Sequence, residues 1–156
     1  MAATVAVAIA LGSNLGDRAA HLRSATAELR NILHDLRASS IHETDPVDVP
    51  DEQPPYLNGA VVGETGLEPE ALLNELMRIE RAHGRTRPSV RAARTLDLDL
   101  ILYGDRIIRA GGLDVPHPRF RERSFVLEPL AEIAPEMVDP VTGLSLRELF
   151  DRSRRP

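Results

Sequence analysis

The sequence feature that most constrains this chain is residues 96–103, where leucine occupies every second position. Because side chains alternate between the two faces of a β-strand, this spacing predicts a strand with one apolar face packed on a core. Gly104-Asp105 supplies the turn that ends it. The predicted apolar face carries Leu96, Leu98, Leu100 and Leu102, and the opposite face carries Asp97, Asp99, Ile101 and Tyr103.

Two aspartates inside a strong strand need a reason, because aspartate is a poor strand former. The carboxylates of Asp97 and Asp99 leave the sheet side by side, about 6.6 Å apart. Such a pair suits Mg²⁺, which takes one or two carboxylates and completes its shell with substrate phosphates. The alternative is a solvated strand face, which is the commoner explanation of an isolated Asp-x-Asp.

Four arginines directly before this strand favour the metal interpretation over the solvated face. Arg85, Arg87, Arg91 and Arg94 lie within ten residues and lead into the aspartates. Arginine next to metal-binding carboxylates is what phosphoryl transfer requires, because the cations stabilise the charge that develops on the transferred group.

Composition excludes several other kinds of chemistry. The chain has 156 residues, 42% of them hydrophobic, which predicts a single domain over 1–156. It contains neither cysteine nor lysine, which excludes disulfides, thiolate sites and a Walker A loop. Any phosphate must therefore be held by arginine. A net charge of -5 argues against nucleic-acid binding. No segment has the length of a membrane span or the pattern of a secretory signal, so we expect a cytoplasmic protein.

Apolar periodicity and turn residues predict the remaining elements. We expect the helix after Asp17 to be about four turns long. We expect the helix from Glu68 to bury Met77 together with its other apolar residues. The predicted elements are strands at 5–11, 37–43, 56–62 and 96–103, a hairpin return strand at 106–108, and helices after Asp17, from Glu68, over 124–133 and from Leu146.

The order strand, helix, strand, strand, helix, strand is the split βαβ pattern of ferredoxin-like α+β folds. It predicts an antiparallel sheet with helices packed on one face, followed by a C-terminal hairpin and further helices.

Four other features are compatible with a binding site. Residues 44–55 contain four prolines and cannot be regular structure, and a loop of this length is usually functional or mobile. Tyr56 and Asn58 share one strand face, where they either pack or hold a flat heterocycle. His117 lies between two prolines, so a contact role and a structural role are about equally favoured. Glu80 lies near a helix C-terminus, which disfavours an acid unless it has a partner.

Several segments together resemble the 6-hydroxymethyl-7,8-dihydropterin pyrophosphokinase family of folate biosynthesis, along nearly the whole chain. The similarity depends on all of them occurring in order and at matching spacing. The segments are Leu11-Gly12-Ser13-Asn14-Leu15, Tyr56-Leu57-Asn58, Gly84-Arg85-Thr86-Arg87, Arg94-Thr95-Leu96-Asp97-Leu98-Asp99, Val115-Pro116-His117-Pro118, Arg123-Ser124-Phe125-Val126-Leu127 and Glu132-Ile133-Ala134-Pro135.

The resemblance implies transfer of the terminal pyrophosphate of ATP to the pterin hydroxymethyl oxygen, with release of AMP. It implies small-molecule substrates, a monomer and two Mg²⁺ ions held by Asp97 and Asp99. It assigns stabilisation of the transferred group to Arg85 and Arg94. The other roles it implies are ATP binding by Glu80, Arg87, His117 and Arg123, and pterin binding by Thr44, Pro46, Val47, Tyr56, Asn58 and Phe125.

The chain departs from the family between Arg91 and Arg94. The family places a Trp-Gly-Pro-like segment there, whereas this chain has only Ala92-Ala93, so the loop is shorter by about one residue and lacks an aromatic lid. We expect 85–94 and 44–55 to be mobile in the free protein. Two other classes remain open: a ferredoxin-like regulatory module, and a metal-dependent nucleotidyltransferase that releases pyrophosphate instead of AMP.

Overall fold

The computed structural model describes residues 3–44, 55–84 and 95–155. Within them, β1 (Val5–Ser13), β4 (Tyr56–Thr65) and β5 (Asp97–Tyr103) form the centre of one antiparallel sheet. The sheet order is β2-β4-β1-β5, with β2 (His34–Ala38) and β3 (His42–Thr44) paired to different parts of β4. The predictions for Pro46, Val47 and the four arginines at 85, 87, 91 and 94 lie outside the described residues.

Helices α1 (Arg18–Leu29) and α2 (Pro69–Ala82) cover one face of this sheet. The side chain of Asp17 caps α1 by accepting from the Ala20 amide, as the sequence predicts. Helix α2 begins with a proline in its first turn. Backbone N–H groups there have no partner within the helix, so the N–H that proline lacks costs no hydrogen bond. The core beneath these helices contains Ile9 and Leu11 of β1, Leu98 and Leu100 of β5, and Leu76 of α2.

The opposite face is covered by α3 (Ser124–Ile133) and α4 (Leu146–Ser153). Small residues on the sheet, including Ala8, Ala10 and Ala60, lie in this second core against Leu127 and Leu130 of α3. The predicted ferredoxin-like α+β class is confirmed, with helices on both faces of the sheet instead of one. In the part of the chain that the structure describes, no helix is both long and apolar enough to cross a membrane.

Strand β5 contains a bulge that reverses its predicted alternation. Ile9 pairs with Leu100 while Ala8 pairs with Leu102, so Ile101 is an extra residue on β5. Ile101 and Leu102 therefore both belong to the core under α3 and α4, and Tyr103 joins Leu100 in the core under α1 and α2. The predicted faces hold from Leu96 to Ile101 and are wrong for Leu102 and Tyr103.

Three other elements differ from the prediction. The α1 helix ends at Leu29, about three turns long, because the chain turns there and enters β2. The predicted strand at 37–43 is two short strands, β2 and β3, which pair with separate stretches of β4. The expected return strand is a separate hairpin of β6 (Ile108–Ala110) and β7 (Leu113–Val115). Met77, expected to be buried, is 43% exposed.

Candidate active site

The sheet register places the polar residues of β4 and β5 on either side of Gly12. In β1, Gly12 lies opposite Asn58 of β4 and opposite Asp97 of β5, so these side chains share one sheet face. A Cβ atom at Gly12 would lie 3.3 Å from Asn58 Oδ1 and 3.6 Å from Tyr56 Cδ1. Glycine therefore keeps an open floor, two strand spacings or about 10 Å wide, between the amide and the carboxylate.

One wall of this floor is the carboxylate edge, defined here as Asp97, Asp99 and Glu80. The two aspartates are half-buried on β5, and the Glu80 carboxylate is 5% exposed at the C-terminal end of α2. Glu80 Oε2 accepts a 2.7 Å hydrogen bond from the amide of Leu98, the residue between the two aspartates. This bond fixes the outer edge of β5 to α2. It also gives Glu80 the partner that an acid near a helix C-terminus needs.

The donor chemistry of the carboxylate edge fits Mg²⁺. Asp97 and Asp99 are hard oxygen ligands two residues apart on a strand that pairs with β1 along its length. Among residues 3–44, 55–84 and 95–155, no group of three or more histidines, aspartates and glutamates is arranged to hold a metal ion. Two carboxylates suit Mg²⁺, whose remaining ligands usually come from phosphate and water.

His117 lies between the carboxylate edge and α3. Its backbone amide donates to the carbonyl of Ile101, the bulge residue of β5, at 3.0 Å. Its Nδ1 accepts from the Arg119 amide at 3.2 Å, so the neutral ring carries its proton on Nε2. Burial and the Arg123 guanidinium lower the pKa of His117, against the opposing effect of Asp97. At neutral pH the ring is consequently an uncharged donor close to Asp97 and Arg123.

The other wall is the aromatic slot, defined here as Thr44, Tyr56, Asn58 and Phe125. Asn58 Nδ2 donates to Thr44 Oγ1 at 2.6 Å, which leaves Asn58 Oδ1 directed toward Gly12. Thr44 and Phe125 line a surface cavity of about 440 Å³ between β3 and α3. The Arg123 guanidinium lies 5.8 Å from the centroid of the Phe125 ring. The slot thus offers an aromatic face and an amide, which suit a flat, polar heterocycle.

The structure places several of the described candidate residues near Gly12. Asn58 and Asp97 lie on either side of it, and Tyr56 borders it. Thr44 bonds Asn58, Phe125 shares a cavity with Thr44, and His117 is within electrostatic reach of Asp97 and Arg123. Glu80 and Asp99 complete the carboxylate edge. Sequence reasoning missed the floor itself, since the positions of Asn58 and Asp97 opposite Gly12 follow only from the register. Residues 11–15 are marked in the sequence only by the family resemblance, which assigns none of them a role.

A family profile matches residues 8–135 of this chain, and its description is 7,8-dihydro-6-hydroxymethylpterin-pyrophosphokinase (HPPK). Two similar bacterial proteins are named 2-amino-4-hydroxy-6-hydroxymethyldihydropteridine pyrophosphokinase. The Synechocystis protein is 42% identical over 92% of this chain and 74% of its own length. The Bacillus subtilis protein is 46% identical over 86% of this chain and 81% of its own length.

Other similar proteins are longer than this chain. It is 41% identical to the folic acid synthesis protein fol1 of Pneumocystis carinii over 94% of this chain, yet it spans only 20% of that protein. Among solved structures, Plasmodium falciparum HPPK-DHPS with pterin and p-hydroxybenzoate matches with a TM-score of 0.74 and 15% identity. That match covers 97% of this chain and 43% of the Plasmodium chain, and at this identity it supports the fold alone.

Proposed function

Because this chain belongs to the 7,8-dihydro-6-hydroxymethylpterin-pyrophosphokinase family, we propose that it transfers pyrophosphate from ATP to 6-hydroxymethyl-7,8-dihydropterin in folate synthesis. The observation that carries the proposal is the placement of Asn58 and Asp97 on opposite sides of Gly12. A site for the heterocycle and a site for the phosphates then lie next to each other on one sheet face. We also propose that the enzyme is a monomer, as the family resemblance implies.

In this reaction the pterin hydroxymethyl oxygen attacks the β-phosphorus of ATP. The bond from that phosphorus to the oxygen bridging it to the α-phosphorus breaks, AMP leaves with that oxygen, and the hydroxyl proton passes to solvent. Catalysis of such a transfer consists mainly of positioning the two substrates and stabilising charge. The protein therefore has to hold the pterin and the triphosphate in line across the Gly12 floor.

We assign metal binding to Asp97 and Asp99, with two Mg²⁺ ions expected. Held there, Mg²⁺ would supply positive charge that offsets the negative charge of the ATP phosphates. Glu80 holds the backbone between the two aspartates and so keeps their spacing. Sequence similarity alone assigns Arg85 and Arg94 to the transferred group and Arg87 to ATP.

The remaining assignments divide between the two substrates. Neutral His117 donates from Nε2 to ATP, and Arg123 contributes a cation beside it. In the aromatic slot, Phe125 stacks on the pterin ring and Asn58 binds its polar edge, with its amide oriented by Thr44. Tyr56 borders the same floor, and the family resemblance adds Pro46 and Val47.

Analysis of the nucleotide products tests this function most simply. The wild-type chain incubated with ATP, Mg²⁺ and the hydroxymethyl pterin should form AMP and the pterin diphosphate in equal amounts. A nucleotidyltransferase would instead release pyrophosphate, and a ferredoxin-like regulatory module would leave ATP unchanged. An incubation without pterin is the control, because AMP formed there would come from hydrolysis.

A further inference from the structure

The cavity of the aromatic slot has a histidine at its rim that none of the assignments above uses. His42 lies on β3, opposite Asn58 and on the same sheet face as Thr44. Its Nδ1 is 3.1 Å from Glu128 Oε1, and its Nε2 is 3.2 Å from Glu132 Oε1. Both glutamates belong to α3, one turn apart, so a single imidazole joins the strand to the helix.

The two joined elements form opposite walls of the slot. Thr44, which orients Asn58, is two residues beyond His42, and Phe125 is three residues before Glu128 on α3. Strand β3 is only three residues long and, among the described residues, pairs with β4 alone, so its backbone hydrogen bonds give it little support. The contacts of His42 join this strand, which carries Thr44, to the helix that carries Phe125.

Two further hydrogen bonds join the segment before β3 to α3. Ser40 Oγ donates to Glu132 Oε1 at 2.7 Å and the Ser40 amide donates to Glu132 Oε2 at 2.8 Å. These hydrogen bonds, together with His42, lower the pKa of Glu132, so this carboxylate stays ionised below its usual range. An isolated exposed ion pair contributes little, but here one histidine and two carboxylates form a network with backbone and hydroxyl donors.

We propose that His42 is a positioning residue that, held between Glu128 and Glu132, sets the width of the aromatic slot for the pterin ring. The proposal rests on the function proposed above. It makes His42 a determinant of pterin affinity and leaves the chemical step to the carboxylate edge.

The protonation state of His42 decides whether both contacts form. An imidazolium donates from both ring nitrogens, whereas a neutral ring presents a lone pair to one of the two carboxylates. In the described residues, the charged groups that face the ring from α3 are Glu128 and Glu132. Ser40 faces it from its own segment, and Asn58 is its neutral cross-strand neighbour on β4.

The test is steady-state kinetics with His42→Gln, Glu132→Gln and His42→Arg. His42→Gln and Glu132→Gln should each raise the KM for the pterin by about fivefold, a size typical of a partly exposed, charge-assisted contact. The KM for ATP and kcat should change by less than about twofold, because neither the carboxylate edge nor the arginines are altered. His42→Arg should restore most of the pterin affinity, since arginine can donate to both carboxylates.

Matched controls are His34→Gln, on the exposed part of β2, and Glu136→Gln, an exposed carboxylate beyond α3. Both should behave as wild type. The double variant His42→Gln/Glu132→Gln should be no worse than either single variant, as expected for partners in one contact.

An unchanged pterin KM in His42→Gln would overturn the inference, and so would an equal rise in the KM for ATP. Failure of His42→Arg to restore affinity would also contradict it, because the effect would then come from lost packing and not from lost charge. An inactive wild-type chain would instead overturn the proposed function, and the inference with it. An active wild type with unaffected variants would overturn the inference alone.

Discussion

The carboxylate edge and the aromatic slot face each other across Gly12, but they are held in different ways. Asp97 and Asp99 lie on a strand that pairs with β1 along its length, and a buried glutamate bonds the backbone between them. The slot has one wall on a strand of three residues, which side chains hold to α3. The comparison teaches that Asp97 and Asp99 are fixed by backbone pairing, whereas the β3 wall of the slot depends on exposed polar contacts.

The largest expected effect comes from removing a carboxylate of the fixed region. Asp97→Ala and Asp99→Ala should each lower turnover by about 1,000-fold or more, because phosphate charge is no longer neutralised. The thermal midpoint should stay the same or rise, since one of two neighbouring like charges is gone. Asp105→Ala, in the turn after the same strand, is the matched control. Near-wild-type turnover in either variant would remove the metal assignment.

Filling the floor between the two regions should have the next largest effect. Gly12→Val would place branched atoms beside Asn58 Oδ1 and Tyr56 Cδ1, where a Cβ is already in tight contact. We expect the KM for the pterin to rise by about 100-fold, the size of a lost aromatic and hydrogen-bonded contact. Gly66→Ala, where a Cβ meets no atom within 4 Å, serves as the control for a glycine replacement. Unchanged pterin affinity in Gly12→Val would show that the substrate does not cross this floor.

A smaller effect is expected from releasing the backbone of β5. Glu80→Leu leaves the Leu98 amide without its carboxylate partner in a buried place, which destabilises a protein by about 1–3 kcal/mol. Turnover should fall by about tenfold as the two aspartates lose their fixed spacing. Chemical denaturation and kcat measure the two effects. Glu70→Leu, on the exposed start of the same helix, should change neither.

The smallest effect concerns His117, whose pKa is lowered by burial and by Arg123. Between this lowered pKa and the ordinary value of about 6.5, the unfolded chain binds more protons than the folded one, so stability falls with falling pH. The stability that the neutral His117 ring contributes is fully present above about pH 6.5. It is lost as the pH drops toward the pKa of His117 in the folded chain. Denaturant titrations of wild type and His117→Gln should therefore converge on acidification. A difference in unfolding free energy between the two proteins that stays constant at all pH values would contradict the lowered pKa of His117.

Local patterns predicted the elements whose own residues determine them. The leucine alternation located β5, Asp17 predicted the start of α1, and proline predicted the start of α2. The antiparallel ferredoxin-like order followed from the sequence of elements. Asp97 and Asp99 were singled out because charged residues in a strand contradict its propensity.

Features that depend on contacts between distant segments did not follow from the sequence. The bulge at Ile101 arises from pairing with β1 and redirects Leu102 and Tyr103 to other faces. The second helical layer depends on small alanines in β1 and β4 that carry no periodic signal of their own. His42 and its two glutamates are separated by more than eighty residues, and no local spacing relates them.

The division of labour between the two regions is tested most directly by measuring kcat and pterin KM for Asp99→Ala beside Asn58→Ala, at saturating ATP and Mg²⁺. We expect Asp99→Ala to lower kcat by about 1,000-fold and to leave the pterin KM nearly unchanged. Asn58→Ala should keep kcat within about threefold and raise the pterin KM by about tenfold or more. A raised pterin KM with intact kcat in Asp99→Ala, or the reverse pattern in Asn58→Ala, would contradict it.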